Sequence, residues 1–136
     1  MSTRRFTPLE ANRALPLVRR IAADVLARGR ELRRLMHDAV GPESHPRIGV
    51  LQAELAELNE ELERLGCSWR DLGFERGLVD FPARIEGREV HLCWKSDEPH
   101  VTWYHSPDTG FAGRTPIPRD LLEGLPPALP AEPQPE

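Results

Sequence analysis

The chain has 136 residues, 39% of them hydrophobic and 29% charged, with a formal net charge of −4, which suits one domain with a modest core. No run reaches the roughly 18 apolar residues of a membrane span, Met1 to Leu9 has no apolar signal-peptide core, and the acidic balance lacks the basic footprint of a dedicated nucleic-acid binder. A cytoplasmic protein is expected, in which Cys67 and Cys93 stay reduced and, with no CxxC spacing, form neither a zinc ribbon nor a thioredoxin-type motif.

The elements predict a single α+β domain over residues 1–123: an antiparallel helical hairpin packed on a small antiparallel β-meander. Helix 1 is predicted over 7–40. Thr7-Pro8-Leu9-Glu10 reads as a capping box with proline at the first helical position, and Phe6 precedes it as a staple residue. Pro16 predicts a kink, or a break into two helices. Val18, Ile21, Val25, Leu32 and Leu35 then mark one helical face. Helix 2 is predicted over 47–65, after a GPESHP loop. Leu51, Leu55, Leu58, Leu62 and Leu65 follow the spacing of a coiled-coil seam, and Gly66 is placed to cap the end. Apolar surface left on such a hairpin suggests that a second copy covers it, giving a homodimer.

Beyond Gly66 the period shortens to two, predicting a meander over 77–106 with strands at 78–85, 88–95 and 100–106. Glu86-Gly87 is a two-residue hairpin turn, which pairs Val79 with Trp94 and Ile85 with Arg88. A four-residue loop at 96–99 would pair Trp94 with Val101, Leu92 with Trp103 and Val90 with His105. The core face then carries Val79, Phe81, Ala83, Val90, Leu92, Trp94, Val101 and Trp103. The other face carries rows of Asp80, Cys93 and Thr102, then Pro82, His91 and Tyr104, then an Arg84–Glu89 ion pair. Residues 107–118 read as a glycine-rich loop and 124–136, with five prolines, as a disordered tail.

Three kinds of chemistry are open to this surface. The first is a metal site, for zinc or iron, from Cys93, His91 and His105, with Asp80 and Glu98 as further donors. In the register above His105 faces away from His91 and Cys93; a bulge at 96–99 would bring it beside Cys93. The second is a small-molecule or protein-binding site from Asp80, Glu98, Trp103, His105, Phe111 and Arg114. There the Gly110-Phe111-Ala112-Gly113-Arg114 turn would offer amides and a guanidinium to an anion, unless Arg114 is a structural partner of Asp80 or Glu98. The third is a cysteine nucleophile, for which a mid-strand Cys93 has no evident activation. A binding and assembly module is the leading expectation; a small metal-dependent or acid/base enzyme using Asp80, Cys93, Glu98, His105 and Arg114 is the alternative.

Several of these stretches also occur together in a known pattern. Glu10-Ala11-Asn12 with Leu15-Pro16, Gly77 to Ala83, Leu92-Cys93-Trp94, Glu98-Pro99, Trp103 with His105, and Gly110 to Arg114 resemble a bacterial and archaeal family known as domain of unknown function 2203, over about residues 4–118. Asp97 stands where that pattern usually has glycine. The resemblance implies a shared fold and carries no activity with it.

Overall fold

In a computed structural model, residues 4–38 and 45–124 are described. Helix α1 spans Pro8–Asp38 and α2 spans Pro46–Leu65; five short strands follow, β1 at Ser68–Trp69, β2 at Leu78–Ile85, β3 at Arg88–Lys95, β4 at Trp103–His105 and β5 at Thr115–Pro116. The strands pair in chain order as one antiparallel sheet, so the fold is α+β. The end predicted for helix 1, most of the interhelical loop and all but the first residue of the predicted disordered tail lie outside the described residues.

Local chemistry explains the helix ends. The Thr7 amide donates to Glu10 Oε1 at 2.9 Å and the Glu10 amide to Thr7 Oγ1 at 3.1 Å, so two otherwise unpaired amides are satisfied reciprocally. Pro16 lies within one continuous α1, so the break into two helices does not occur. Gly66 closes α2 in the left-handed conformation, φ 99°, with its amide bonded to Glu63 O. The helices run antiparallel: Arg28 Nε meets Glu54 Oε1 at 3.1 Å, and Arg47 Nε meets Glu31 Oε2 at 3.0 Å. The seam leucines point inward, Leu51 and Leu62 fully buried and Leu55, Leu58 and Leu65 partly so.

The core lies between α1 and the sheet, with Leu15, Val18, Ile21 and Val25 set against Val79, Phe81, Leu92 and Trp94. Phe6 does more than precede a cap: its amide donates to Pro82 O at 2.7 Å and its ring meets Phe81 edge-on, 5.2 Å between centroids. The β2–β3 register is the expected one, Val79 opposite Trp94 and Ile85 opposite Arg88. It is fixed by Glu86 and Gly87, both at positive φ (52° and 79°), the type I′ geometry that matches strand twist. Arg84 and Glu89 form the expected cross-strand pair at 2.8 Å.

The β3–β4 register differs from expectation by one residue. Cys93 faces Trp103, Leu92 faces Tyr104 and His91 faces His105. The third strand is Trp103–His105 rather than 100–106, because the polar backbone of Val101 is taken elsewhere. The Val101 amide donates to Asn12 Oδ1 at 2.8 Å, and Asn12 Nδ2 donates back to Val101 O at 3.0 Å. A side chain of α1 thus occupies the position expected for β3. The slip of one residue exchanges faces: Trp103 and His105 join Asp80, His91 and Cys93, while Tyr104 turns to the core. The expected rows ending in Thr102 and Tyr104 therefore end in Trp103 and His105. The stretch read as a glycine-rich loop contains a 3-10 turn at Phe111–Gly113 and the edge strand β5.

Candidate functional site

Asp80 is the hub of the polar face. It is 3% exposed, and His105 beside it is 2% exposed, although both stand on the face turned away from the helices. The loop that follows β4 packs beside them, with Ser106 O against the His105 ring and Gly110 and Phe111 in the lining of the same pocket. Around Asp80 Oδ2 lie Arg70 Nε at 3.1 Å, His105 Nε2 at 3.2 Å and His91 Nδ1 at 3.4 Å, with Asp80 Oδ1 3.3 Å from His105 Nε2. His91 Nδ1 lies off the hydrogen-bonding direction and is buried without a partner; its ring stands edge-on to His105, 5.5 Å between centroids.

The protonation geometry of His105 is informative. Its Nδ1 lies 2.8 Å from Ser106 O. A carbonyl oxygen only accepts, so Nδ1 carries the proton. In a neutral ring Nε2 then bears the lone pair, and that lone pair faces the Asp80 carboxylate. Two electron-rich groups at 3.2 Å are reconciled by a proton between them, carried by the ring or by the carboxyl, or by a cation.

Cys93 completes the cluster. One ligand atom from each of Asp80, Cys93 and His105 lies within 4.8 Å of the others. Tetrahedral zinc, with bonds of about 2.0–2.3 Å, holds neighbouring ligand atoms roughly 3.3–3.8 Å apart, so small rotamer movements close the set. Burial, and then the Asp80 carboxylate nearby, push the Cys93 thiol up to about 12. The thiolate a metal needs therefore forms only with a cation beside it.

These three residues line a pocket of about 210 Å³ together with Arg70, Leu78, Gly110 and Phe111. Gly110 has φ 65° and ψ −165°, a region open essentially to glycine alone, which lets the chain turn over the site. A larger hollow of about 440 Å³ lies on the helices, lined by Glu54, Glu57 and Glu61 among other charged side chains. It gathers no ligand set, and we place no site there.

The remaining candidates are held by one another. Arg114 Nη2 donates to Glu98 Oε1 at 2.7 Å and to Cys93 O at 3.2 Å. Its guanidinium lies 4.8 Å from the centre of the Trp103 ring and 4.7 Å from that of Phe111. Glu98 Oε1 also accepts the Lys95 amide at 2.8 Å. Glu98, Trp103 and Arg114 thus brace the loop beyond β4, and Phe111 belongs to both groups, its ring beside Arg114 and in the lining of the pocket. Sequence reasoning missed Arg70. It follows a two-residue strand with no pattern of its own, and only its ion pair with Asp80 reveals it.

Asn12, Asp80, Cys93, Glu98, His105 and Arg114 all lie within the stretch that one family model covers. The model of an uncharacterized conserved protein family, DUF2203, covers residues 4–117. The chain belongs to the DUF2203 family. No curated protein and no solved structure matches it. Within the DUF2203 chain, the stretches that carry the resemblance have identifiable tasks: Asn12 sets the β4 register, Glu98 and Arg114 brace the loop, and Asp80, Cys93 and His105 converge.

Proposed function

We propose that this DUF2203 chain is a metal-binding module, and that Asp80, Cys93 and His105 hold a divalent ion of zinc type. The observation that carries the reading is His105: Nδ1–H is committed to Ser106 O and Nε2 is aimed at a buried carboxylate. A backbone carbonyl that orients a histidine in this way is the usual outer partner of a metal-ligating imidazole. One nitrogen, one thiolate and one carboxylate suit zinc, and iron less specifically. Two buried free thiols fit the reducing, cytoplasmic setting expected from the sequence. When bound, the ion would supply Lewis acidity at the pocket wall; the chain itself supplies orientation and exclusion of water.

The test is metal content of protein purified without tag or chelator, together with zinc competition against a chromophoric chelator. About one ion per chain is expected, falling at least tenfold in affinity in the near-isosteric variants Cys93→Ser and Asp80→Asn. Circular dichroism is the check that those variants remain folded. A folded wild-type protein that takes up no zinc or iron would sink the reading and leave the second one: His105 hydrogen-bonded directly to Asp80, in a structural polar cluster.

A further inference from the structure

We infer that the pocket beside Asp80 takes a small monocarboxylic acid with an apolar or aromatic body, its carboxylate bridging Arg70 and the bound ion. The inference rests on the metal reading above and adds the ligand.

The argument is one of charge and shape. Arg70 has Asp80 as its ion-pair partner at 3.1 Å. A divalent ion bound by the Cys93 thiolate, the Asp80 carboxylate and neutral His105 is already neutralised by those two negative charges. Asp80 is then spent on the metal, and the Arg70 charge is left over. Arg76 adds a second positive group, its guanidinium 5.0 Å from the centre of the Phe111 ring. Beside that ring Arg114 is cancelled by Glu98 at 2.7 Å. The loaded pocket is thus positive at its rim and calls for an anion.

Carboxylate fits better than phosphate. Three protein donors leave a fourth position on a tetrahedral ion, and all three donors line the pocket, so that position is reached from it. The Arg70 side chain is 51% exposed, which leaves guanidinium edges free beyond the one turned to Asp80. One metal position and one guanidinium make a two-point cradle that matches the two oxygens and single charge of a carboxylate; a phosphate dianion would leave a third oxygen outside that cradle. Leu78, two residues from Asp80 on the same face of β2, and Phe111 give the lining its apolar part, which suits an apolar body. About 210 Å³ is below the roughly 300–1,000 Å³ of pockets for drug-sized ligands, so the body is small.

Cobalt(II) loading of the full chain provides the test, because its visible bands report both thiolate ligation and a change in the fourth ligand. Benzoate is the probe and inorganic phosphate the comparison. Saturable change of the cobalt bands by benzoate, tighter than by phosphate, is expected, with at least tenfold weaker benzoate binding in Arg70→Gln at matched cobalt occupancy. A thiolate–cobalt spectrum that benzoate leaves unchanged overturns this inference while the metal reading survives, the fourth ligand then being internal, with His91 the nearest candidate. Preference for phosphate, or equal benzoate affinity in Arg70→Gln, also overturns it. Absence of cobalt uptake removes both proposals.

Discussion

Cys67 and Cys93 show how little a residue's type says about its chemistry. Both thiols are buried and both are pushed up to about 12, yet only Cys93 has donor groups for neighbours. Cys67 sits under the α2 cap, shifted by burial alone apart from a small opposing effect of Arg4, and behaves as a packing residue. Its raised value has a consequence for stability. Above the ordinary thiol range, near about 8.5, the unfolded chain loses the proton while the folded chain keeps it. The unfolded state then binds fewer protons, so stability falls as pH rises from about 9 towards 12. Urea unfolding of wild type against Cys67→Ala should show the wild type losing on the order of 2 kcal/mol more than the variant between about pH 8 and pH 11. Parallel pH profiles would show that Cys67 does not titrate as its burial requires.

At the scale of elements, the instructive contact lies between α1 and the loop that follows β1. Phe74 has positive φ, 58°, and its ring lies against Gly29 of α1, where an added methyl would overlap it. Arg30 Nε donates to Phe74 O at 3.1 Å and Arg30 Nη2 to Glu75 O at 2.9 Å, holding the loop on the helix. Propensity favours alanine over glycine in a helix by about 1 kcal/mol, but overpacking costs about 1–3 kcal/mol. Gly29→Ala should therefore destabilise the protein by up to roughly 2 kcal/mol in urea unfolding; a gain in stability would mean that the ring moves aside freely. The same scale shows which parts of the fold the sequence discloses. The Thr7–Glu10 box, the Gly66 cap and the Glu86-Gly87 hairpin are legible because each is decided by residues within a few positions of one another. Strands β1 and β5 are two residues long, too short to show alternation. The composition of the site was readable too, down to Asp80, His91, Cys93 and His105, but its geometry was not. Whether His105 meets Cys93 depends on the β3–β4 register, and that is set by Asn12, 89 positions from Val101.

For the molecule as a whole, the helices and the sheet divide the work. The helices furnish one side of the core and no atoms of the candidate site; the sheet furnishes the other side and, with the loop beyond β4, the candidate site. No helix among the described residues is long and apolar enough to cross a membrane. Self-association through the hairpin is a proposal. Met36 and Val50, near the loop end of the hairpin, and Leu17, nearer the start of α1, each just under half exposed, are apolar helix side chains that a second copy would cover; a stable interface needs roughly 1,200–2,000 Å² of buried surface. Sedimentation equilibrium across a range of protein concentrations should give a mass tending to that of the dimer; a constant monomer mass removes the proposal.

The Asn12 carboxamide offers Val101 one donor and one acceptor, as a neighbouring strand would, and so acts as a single residue of sheet carried on a helix. It works as an index pin. Of two alignments that differ by one residue, it selects the one in which a histidine reaches an aspartate and a cysteine. The chemistry of the far face is thereby encoded in the first turns of the chain, by a residue that touches none of the groups it brings together.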